Sequence, residues 1–271
     1  MNFLESPPSL RFSGRIKCFW ALTAGATESG GMDPVLPDGS PEIVFNLSDR
    51  FRILRDDGSI DLQPRAILAG QMTRHITIGP SGDVDLFGVK FLPTGAYGLL
   101  GVPLRDSSDR ITALSDLWAI DEPLLYERLA EANSFWERIT FFEDFLAARV
   151  EATRSDDLEF KFAVGRIVES KGLVRIGVLA AEIGWSERRL ERRFLERVGL
   201  TPKMFARVRR FQGLLRLLDG NPGCDLAFAA LECGYYDQPH MNREFAAFAG
   251  TSPGGYMNSD NQLSEIFVSS E

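Results

Sequence analysis

Two segments near the C-terminus share one design: VLAAEIGWSERRLERRFLERVGLTP (residues 178–202) and DLAFAALECGYYDQPHMNREFAAFAGTSP (residues 225–253). In each segment, a helix rich in small residues ends at a glycine that precedes an aromatic residue. A polar cap then opens a second helix, which ends at another glycine with a proline three positions on. This order is the helix–turn–helix pattern written twice, and that motif can place a helix in the major groove of DNA.

The second helix of the first unit divides into a buried face and an outward face. Ser186 is a natural N-cap. Leu190, Phe194 and Val198 recur on one stripe at 100° per residue, so we expect that stripe to be core. The polar side chains that this helix uses at its start or offers to DNA are Ser186, Arg188, Arg189, Glu191, Arg192 and Arg193.

The angular position of each of these side chains predicts its role. Arg188 and Arg192 fall opposite the core stripe, where arginine can bond guanine bidentately. Glu191 lies beside them and can accept from the amino group of cytosine. Arg189 and Arg193 lie nearer the stripe and are better placed for phosphates. The alternative is an ordinary solvated face on which arginines and glutamates alternate.

The second unit offers fewer side chains for reading bases. Asp237 is the expected cap of its second helix. Met241, Phe245 and Phe248 form the expected core stripe of that helix. The side chains predicted to face DNA are Gln238, Asn242 and Arg243.

A continuous helix is predicted between the two units, over residues 202–219 (PKMFARVRRFQGLLRLLD). Its apolar side chains are spaced for burial against both units. At 1.5 Å per residue, this helix spans about 27 Å, which approaches the roughly 34 Å of one turn of DNA. We therefore expect one polypeptide to read two successive major grooves.

Charge is divided unevenly along the chain. The net charge of −8 combines +5 over residues 160–257 with −13 over the remainder. A basic C-terminal part joined to an acidic N-terminal part is typical of a nucleic-acid-binding module with a differently employed partner domain. Chance differences between solvated faces are the alternative.

The composition indicates an ordinary globular protein without membrane, secretory or metal signals. The apolar fraction is 44%, and no apolar run has the length of a membrane span. The start, MNFLESPPSL, has neither the basic nor the apolar region of a secretory signal. The three cysteines have no metal-ligand spacing, which fits a reducing cytoplasm, and we expect neither a metal nor another cofactor.

The first 110 or so residues are predicted to be β-rich, as a small barrel or sandwich with flanking helices. Gly, Pro and Asp punctuate short apolar runs, and residues 80–83 (PSGD) predict a hairpin turn. The run over residues 83–91 is apolar on both faces and should be buried. A ligand pocket lined by aromatic residues is one hypothesis for this half, and ordinary core packing is the alternative. The candidate pocket residues are Trp20, Phe45, Phe87 and Phe91.

Helical periodicity replaces the β pattern from residue 121 onward. Apolar residues recur at three- and four-residue steps from Phe135 to Val150, and further aromatic residues widen that face. Packing on the β-rich domain is one interpretation. The other is a homodimer interface over residues 121–153, because exposed aromatic surface usually has a partner.

The C-terminal residues resemble the DNA-binding domain of the AraC/XylS family of transcription regulators. The resemblance covers about 83 residues, and its motifs include LAAEIGWS, GLTP, RFQGLLRLL, ECGYYDQ and GTSPGGY. It implies seven helices, two of them groove-reading, with promoter DNA as a partner and RNA polymerase as a further candidate partner. The N-terminal half, with LPDGSPEIVFNL and GVKFLPTGAYGLLGVP, resembles a β-rich sensor domain often found ahead of this module. Small polar or basic residues common in the family are absent at Pro239, Ala246 and Ala247, which should thin the basic surface of the second unit.

These observations together predict an α+β chain with two domains. Residues 1–154 form a β-rich regulatory, effector-binding and dimerisation domain with a helical C-terminal part. Residues 155–258 form the DNA-binding domain, and residues 259–271 a tail. The leading hypothesis is a cytoplasmic transcription regulator modulated by a small-molecule effector. A ligand-independent regulator is the first alternative. An enzyme targeted to DNA is the second, although Cys18 stands without the cysteine cluster or histidine partner that catalysis would need, so we assign no catalytic residue.

Overall fold

The N-terminal domain contains ten strands in this computed structural model, which describes residues 1–26, 31–119, 121–150 (without the side chains of 149 and 150), 158–221 and 223–258. The predicted domain boundary near residue 154 and the predicted tail lie outside these ranges. The strands are β1 (Asn2–Ser6), β2 (Ile16–Ala24), β3 (Asp33–Val35), β4 (Glu42–Asn46), β5 (Arg52–Leu54), β6 (Ile60–Leu62), β7 (Ala66–Ala69), β8 (Ile76–Gly79), β9 (Val84–Phe91) and β10 (Ile111–Ala113).

These strands form two antiparallel sheets that pack on each other without closing into a barrel. The larger sheet has the order β1-β2-β9-β4-β7-β10, and the smaller has the order β3-β8-β5-β6. The predicted hairpin at residues 80–83 is wrong, because β8 belongs to the smaller sheet and β9 to the larger. The turn residues there carry the chain from one sheet to the other.

Strand β9 is the centre of the N-terminal domain and, as predicted, is buried on both faces. Leu86 points to the layer between the sheets, which also contains Trp20 and Phe51. Phe87 points the other way, into a core shared with the helices. Alternation along one apolar strand therefore supplies two separate cores.

Three helices cover the outer face of the larger sheet: α1 (Tyr97–Leu100), α2 (Glu122–Glu131) and α3 (Phe135–Val150). The Phe142 ring of α3 lies within 6.0–6.1 Å, centroid to centroid, of the rings of Phe19, Phe45 and Phe87. The apolar face of α3 thus packs on the β-rich domain. Trp136 is an exception and is 63% exposed.

The described part of the C-terminal domain has seven helices around one core, and the α+β two-domain architecture predicted from the sequence is confirmed. The linking helix α7 is continuous over 18 residues and supplies buried residues to both helix–turn–helix units. The helices are α4 (Leu158–Glu169), α5 (Ile176–Glu182), α6 (Glu187–Arg197), α7 (Pro202–Asp219), α8 (Leu226–Glu232), α9 (Gln238–Ala249) and α10 (Pro253–Met257).

The two domains contact each other at several points. Leu36, from the loop before β4, is buried in the core of the C-terminal domain. The Tyr97 hydroxyl donates to Glu196 Oε1 at 2.9 Å, and the Ser108 hydroxyl donates to the Gly199 carbonyl at 2.7 Å. These contacts hold the N-terminal domain at the C-terminal end of α6 and leave the start of that helix exposed.

Candidate nucleic-acid interface

Helix α6 begins where the sequence places its cap. The Ser186 side chain accepts a hydrogen bond from the Arg189 amide at 3.3 Å, which satisfies one of the free N–H groups of the first turn. Leu190, Phe194 and Val198 are fully buried. Burial of this stripe fixes the rotation of α6, so the opposite side chains must point to solvent.

The three side chains predicted to read bases from α6 are all exposed. Arg188, Glu191 and Arg192 lie on the face opposite the buried stripe. No ion pair between them is present in the described structure. Two guanidinium groups and one carboxylate are thus presented together, and these groups complement the hydrogen-bonding edges of guanine and cytosine.

The remaining two arginines of α6 already have intramolecular contacts. The Arg189 guanidinium lies 4.1 Å from the centroid of the Trp185 ring. Arg193 Nη1 lies 3.2 Å from Glu196 Oε2 and is only partly exposed. Burial opposes ionisation of Glu196, but hydrogen bonds from Tyr97 and Arg193 outweigh it and lower the pKa of that carboxyl. Arg189 and Arg193 therefore lie beside the exposed face of Arg188 and Arg192 and are engaged in contacts within the protein.

Helix α9 begins at Asp237, whose carboxylate accepts from the His240 amide at 2.7 Å. Met241, Phe245 and Phe248 are buried. Three side chains of this helix are predicted to face DNA. Arg243 is exposed, whereas Gln238 and Asn242 are partly buried. Of the side chains predicted to face DNA, the second unit thus exposes fewer than the first.

The sequence analysis missed two features of the second unit. Tyr236, directly before the cap of α9, is 87% exposed, so its ring is available at the turn of this unit. Glu244, on the inner face of α9, is buried and binds Arg207 and Arg210 of α7, each at 2.7 Å. The sequence did carry a signal for this ion pair, because Glu244 occupies a core position of α9 and a buried carboxylate needs cationic partners.

The four aromatic residues proposed for a ligand pocket lie on two different faces of the larger sheet. Phe45, Phe87 and Phe91 pack in the core beneath the helices and are fully buried. Trp20 lies between the sheets and lines a cavity of about 60 Å³. The indole fits there because its strand partner is Gly88: a Cβ at that position would lie 1.9 Å from the ring.

The described residues offer neither a metal-binding cluster nor a membrane-spanning helix. Among the described residues, no group of three or more His, Cys, Asp or Glu side chains is arranged to hold a metal ion. No described helix combines the length and the apolar character that crossing a membrane requires.

Both domains match known families. Residues 179–259 match the family described as "Helix-turn-helix domain", and residues 4–113 match "Domain of unknown function (DUF6597)". One matched range lies in the N-terminal domain, and the other lies in the C-terminal domain. The C-terminal domain thus contains a helix–turn–helix domain.

One curated relative and two solved structures are similar to parts or all of the chain. The chain is 34% identical over 107 residues to the HTH-type transcriptional regulator Rv1931c of Mycobacterium tuberculosis. The matched region covers 40% of this chain and 41% of that protein. ToxT from Vibrio cholerae is 12% identical with a TM-score of 0.46, over 95% of this chain and 98% of that chain. The AraC-like transcriptional activator CuxR is 18% identical with a TM-score of 0.22, over 75% and 73%.

Proposed function

We propose that this protein is a sequence-specific transcription regulator that reads two successive major grooves of promoter DNA with α6 and α9. The observation that carries this proposal is the pairing of a buried stripe with an exposed polar face on α6. Leu190 and Phe194 fix the helix, and Arg188 and Arg192 are thereby held outward without an intramolecular partner in the described structure. No intramolecular bond must therefore be broken before these two arginines can bind guanine bidentately.

The linking helix supports a fixed spacing between the two reading helices. Eighteen continuous residues of α7 give a length of about 27 Å. Glu244 ties α9 to this helix through two arginines. A rigid connection favours one separation of the two half-sites, near the roughly 34 Å turn of DNA.

The N-terminal domain supplies the regulatory part of the proposal. It contacts α6, α7 and α9, so a ligand that binds it can shift the population of DNA-competent arrangements. A homodimer through residues 121–153 remains part of the proposal. Because most of the apolar face of α3 packs inside the domain, that interface would use exposed residues such as Leu124 and Trp136.

Selection of bound sequences from random duplex DNA tests the proposal with the full chain at physiological salt. We expect a motif with two blocks about one helical turn apart. The motif selected by the double variant Arg188→Ala/Arg192→Ala should lose its base preference in one block and keep it in the other. Arg50→Ala, which removes an exposed arginine of the N-terminal domain, is the matched control. Failure of the wild-type chain to select any motif would contradict the proposal.

A further inference from the structure

A buried ion cluster lies at one end of the layer between the two sheets. Glu42 of β4 and Lys90 of β9 are directly opposite each other in register. Lys90 Nζ lies 2.9 Å from Glu42 Oε1 and 2.8 Å from Asp38 Oδ2, and the lysine side chain is 2% exposed. A buried ammonium needs a charged partner, and Lys90 shares its hydrogen bonds between two carboxylates.

Asp38 belongs to an interdomain segment, residues 36–40, that contacts the linking helix. The Pro37 carbonyl accepts from Gln212 Nε2 at 2.5 Å, and the Asp38 carbonyl accepts from Arg209 Nη1 at 3.1 Å. The segment is thus bound to the N-terminal domain through the Asp38 carboxylate and to α7 through its own backbone. One short loop joins the ion cluster to the helix that spaces the two DNA-reading units.

Gly39 shows how closely this segment approaches α7. Its φ is +82°, and a Cβ there would lie 3.3 Å from both Arg209 Cδ and a Phe205 ring carbon. Gly58 has the same φ of +82°, but a Cβ there would meet nothing within 4 Å. Replacing either glycine with alanine would strain the backbone equally, but only the change at Gly39 would also disturb the contact with α7.

Glu42 also lines the cavity of about 60 Å³ that contains Trp20. Among the described side chains lining this cavity, Glu42 is the only ionisable one, and most of the others are apolar, such as Val44 and Ile67. Because a single water needs roughly 10–15 Å³, the cavity has room only for a small ligand of a few non-hydrogen atoms.

We propose that this cavity binds a small apolar amine, whose ammonium pairs with Glu42, and that the interdomain segment transmits its binding to α7. The proposal rests on the proposed regulatory function and names its ligand class. A cation gains charge-assisted hydrogen bonds from a carboxylate and an attractive contact with the Trp20 indole, whereas an anion is repelled by Glu42. Burial raises the pKa of Glu42 more than Lys90 lowers it, so a second cation stabilises the ionised form.

The consequence for α7 follows from the sharing of Lys90. An ammonium on Glu42 competes with Lys90 and transfers the lysine hydrogen bonds toward Asp38. Lys17 and Arg209 are the other cations within electrostatic reach of Asp38. The position of the interdomain segment on α7 changes with this redistribution, and the arrangement of the two reading helices changes with it.

Thermal unfolding of the full chain with isobutylamine, isobutanol and isobutyrate tests the ligand class. At matched millimolar concentrations, isobutylamine should raise Tm in a concentration-dependent way, and the alcohol and the acid should not. Glu42→Gln should abolish the rise, and Glu5→Gln, on an exposed strand position, should retain it. Equal effects of all three compounds, or a rise that survives Glu42→Gln, would overturn the assignment of an amine site.

Hydrogen exchange tests the coupling. Isobutylamine should change amide exchange in residues 36–40 and in α7 of the wild-type chain. Gly39→Ala should change exchange in α7 without ligand, and Gly58→Ala should not. Exchange in α7 that is unaltered by both the amine and Gly39→Ala would overturn the coupling. If isobutylamine does not raise Tm but the full chain still selects a DNA motif, this inference is wrong and the proposed regulatory function stands.

Discussion

The carboxylate of Glu244 joins α9 to the linking helix α7, with Oε1 lying 2.7 Å from Nη2 of Arg210. Its other oxygen lies 2.7 Å from Arg207 Nε, and Glu244 itself is buried. The Arg210 guanidinium also lies 4.5 Å from the centroid of the Tyr235 ring. One acidic side chain on the inner face of α9 thus adds two charged contacts to the aromatic packing of α9 on α7.

We expect Glu244→Ala to lower the free energy of unfolding by about 2–3 kcal/mol, because both arginines lose a charged partner at a mostly buried site. The figure is below that of a fully buried pair since Arg207 is one-third exposed. Glu244→Gln should cost less, because the amide oxygen still accepts one bond. Urea unfolding measures both. The exposed Glu191→Ala should stay within about 0.5 kcal/mol of wild type, and an equal loss there would contradict the role of Glu244.

Arg188 and Arg189 should differ in what they recognise, although they are adjacent on α6. Arg188→Ala should cost about 1–3 kcal/mol at the selected site and little on random DNA, because a lost base contact affects only the matched sequence. Arg189 stacks on Trp185, beside the reading face. Its removal should weaken specific and random DNA alike, as loss of a phosphate contact does. Fluorescence anisotropy on both duplexes checks this pair, and identical profiles would refute the division of roles.

Gly88 should tolerate no side chain, because its Cβ would overlap the Trp20 ring. We expect Gly88→Ala to displace the indole and to cost about 1–3 kcal/mol through overpacking. Tryptophan fluorescence and urea unfolding report the two effects. Gly14→Ala is the control, since a Cβ there meets nothing within 4 Å. A Gly88→Ala protein with wild-type stability and fluorescence would show that the cavity wall can yield.

The sequence predicted those parts of the fold that depend on local signals. The caps Ser186 and Asp237 and the 3.6-residue periodicity are local properties, so α6, α7 and α9 were correctly placed. The alternation of β9 likewise predicted a strand buried on both sides. The four edge strands β1, β3, β6 and β10 were missed, and three of them have only three residues, which carry too little pattern to identify a strand.

Long-range partners could not be predicted in the same way. No signal in the sequence indicated the ion pair of Lys90, because its partner Asp38 comes from a loop some fifty residues earlier. The LPDGSP stretch showed only turn chemistry, and its contact with α7 depends on how two domains meet. The division of the four candidate pocket aromatics between two faces follows from sheet pairing, which no single strand reveals.

His75 should make the stability of the domain interface depend on pH. Its amide donates to the Phe248 carbonyl at 2.7 Å, and its ring occupies the space that a side chain at Gly250 would fill. Burial, and then the charge of Arg74, lowers the pKa of His75 below its ordinary value. The folded protein therefore favours the neutral ring. The stabilisation is fully present above the unfolded pKa of about 6.5, and it is lost as pH falls from there through the folded pKa.

The measurement is Tm of wild type and His75→Asn between pH 5 and 8, because groups common to both proteins cancel in the difference. We expect the wild-type advantage to be constant above about pH 6.5 and to shrink below it. The backbone bond to Phe248 is kept in the variant, so the difference isolates the ring. If the Tm difference between wild type and His75→Asn stays constant from pH 5 to 8, the interface does not lower the pKa of His75.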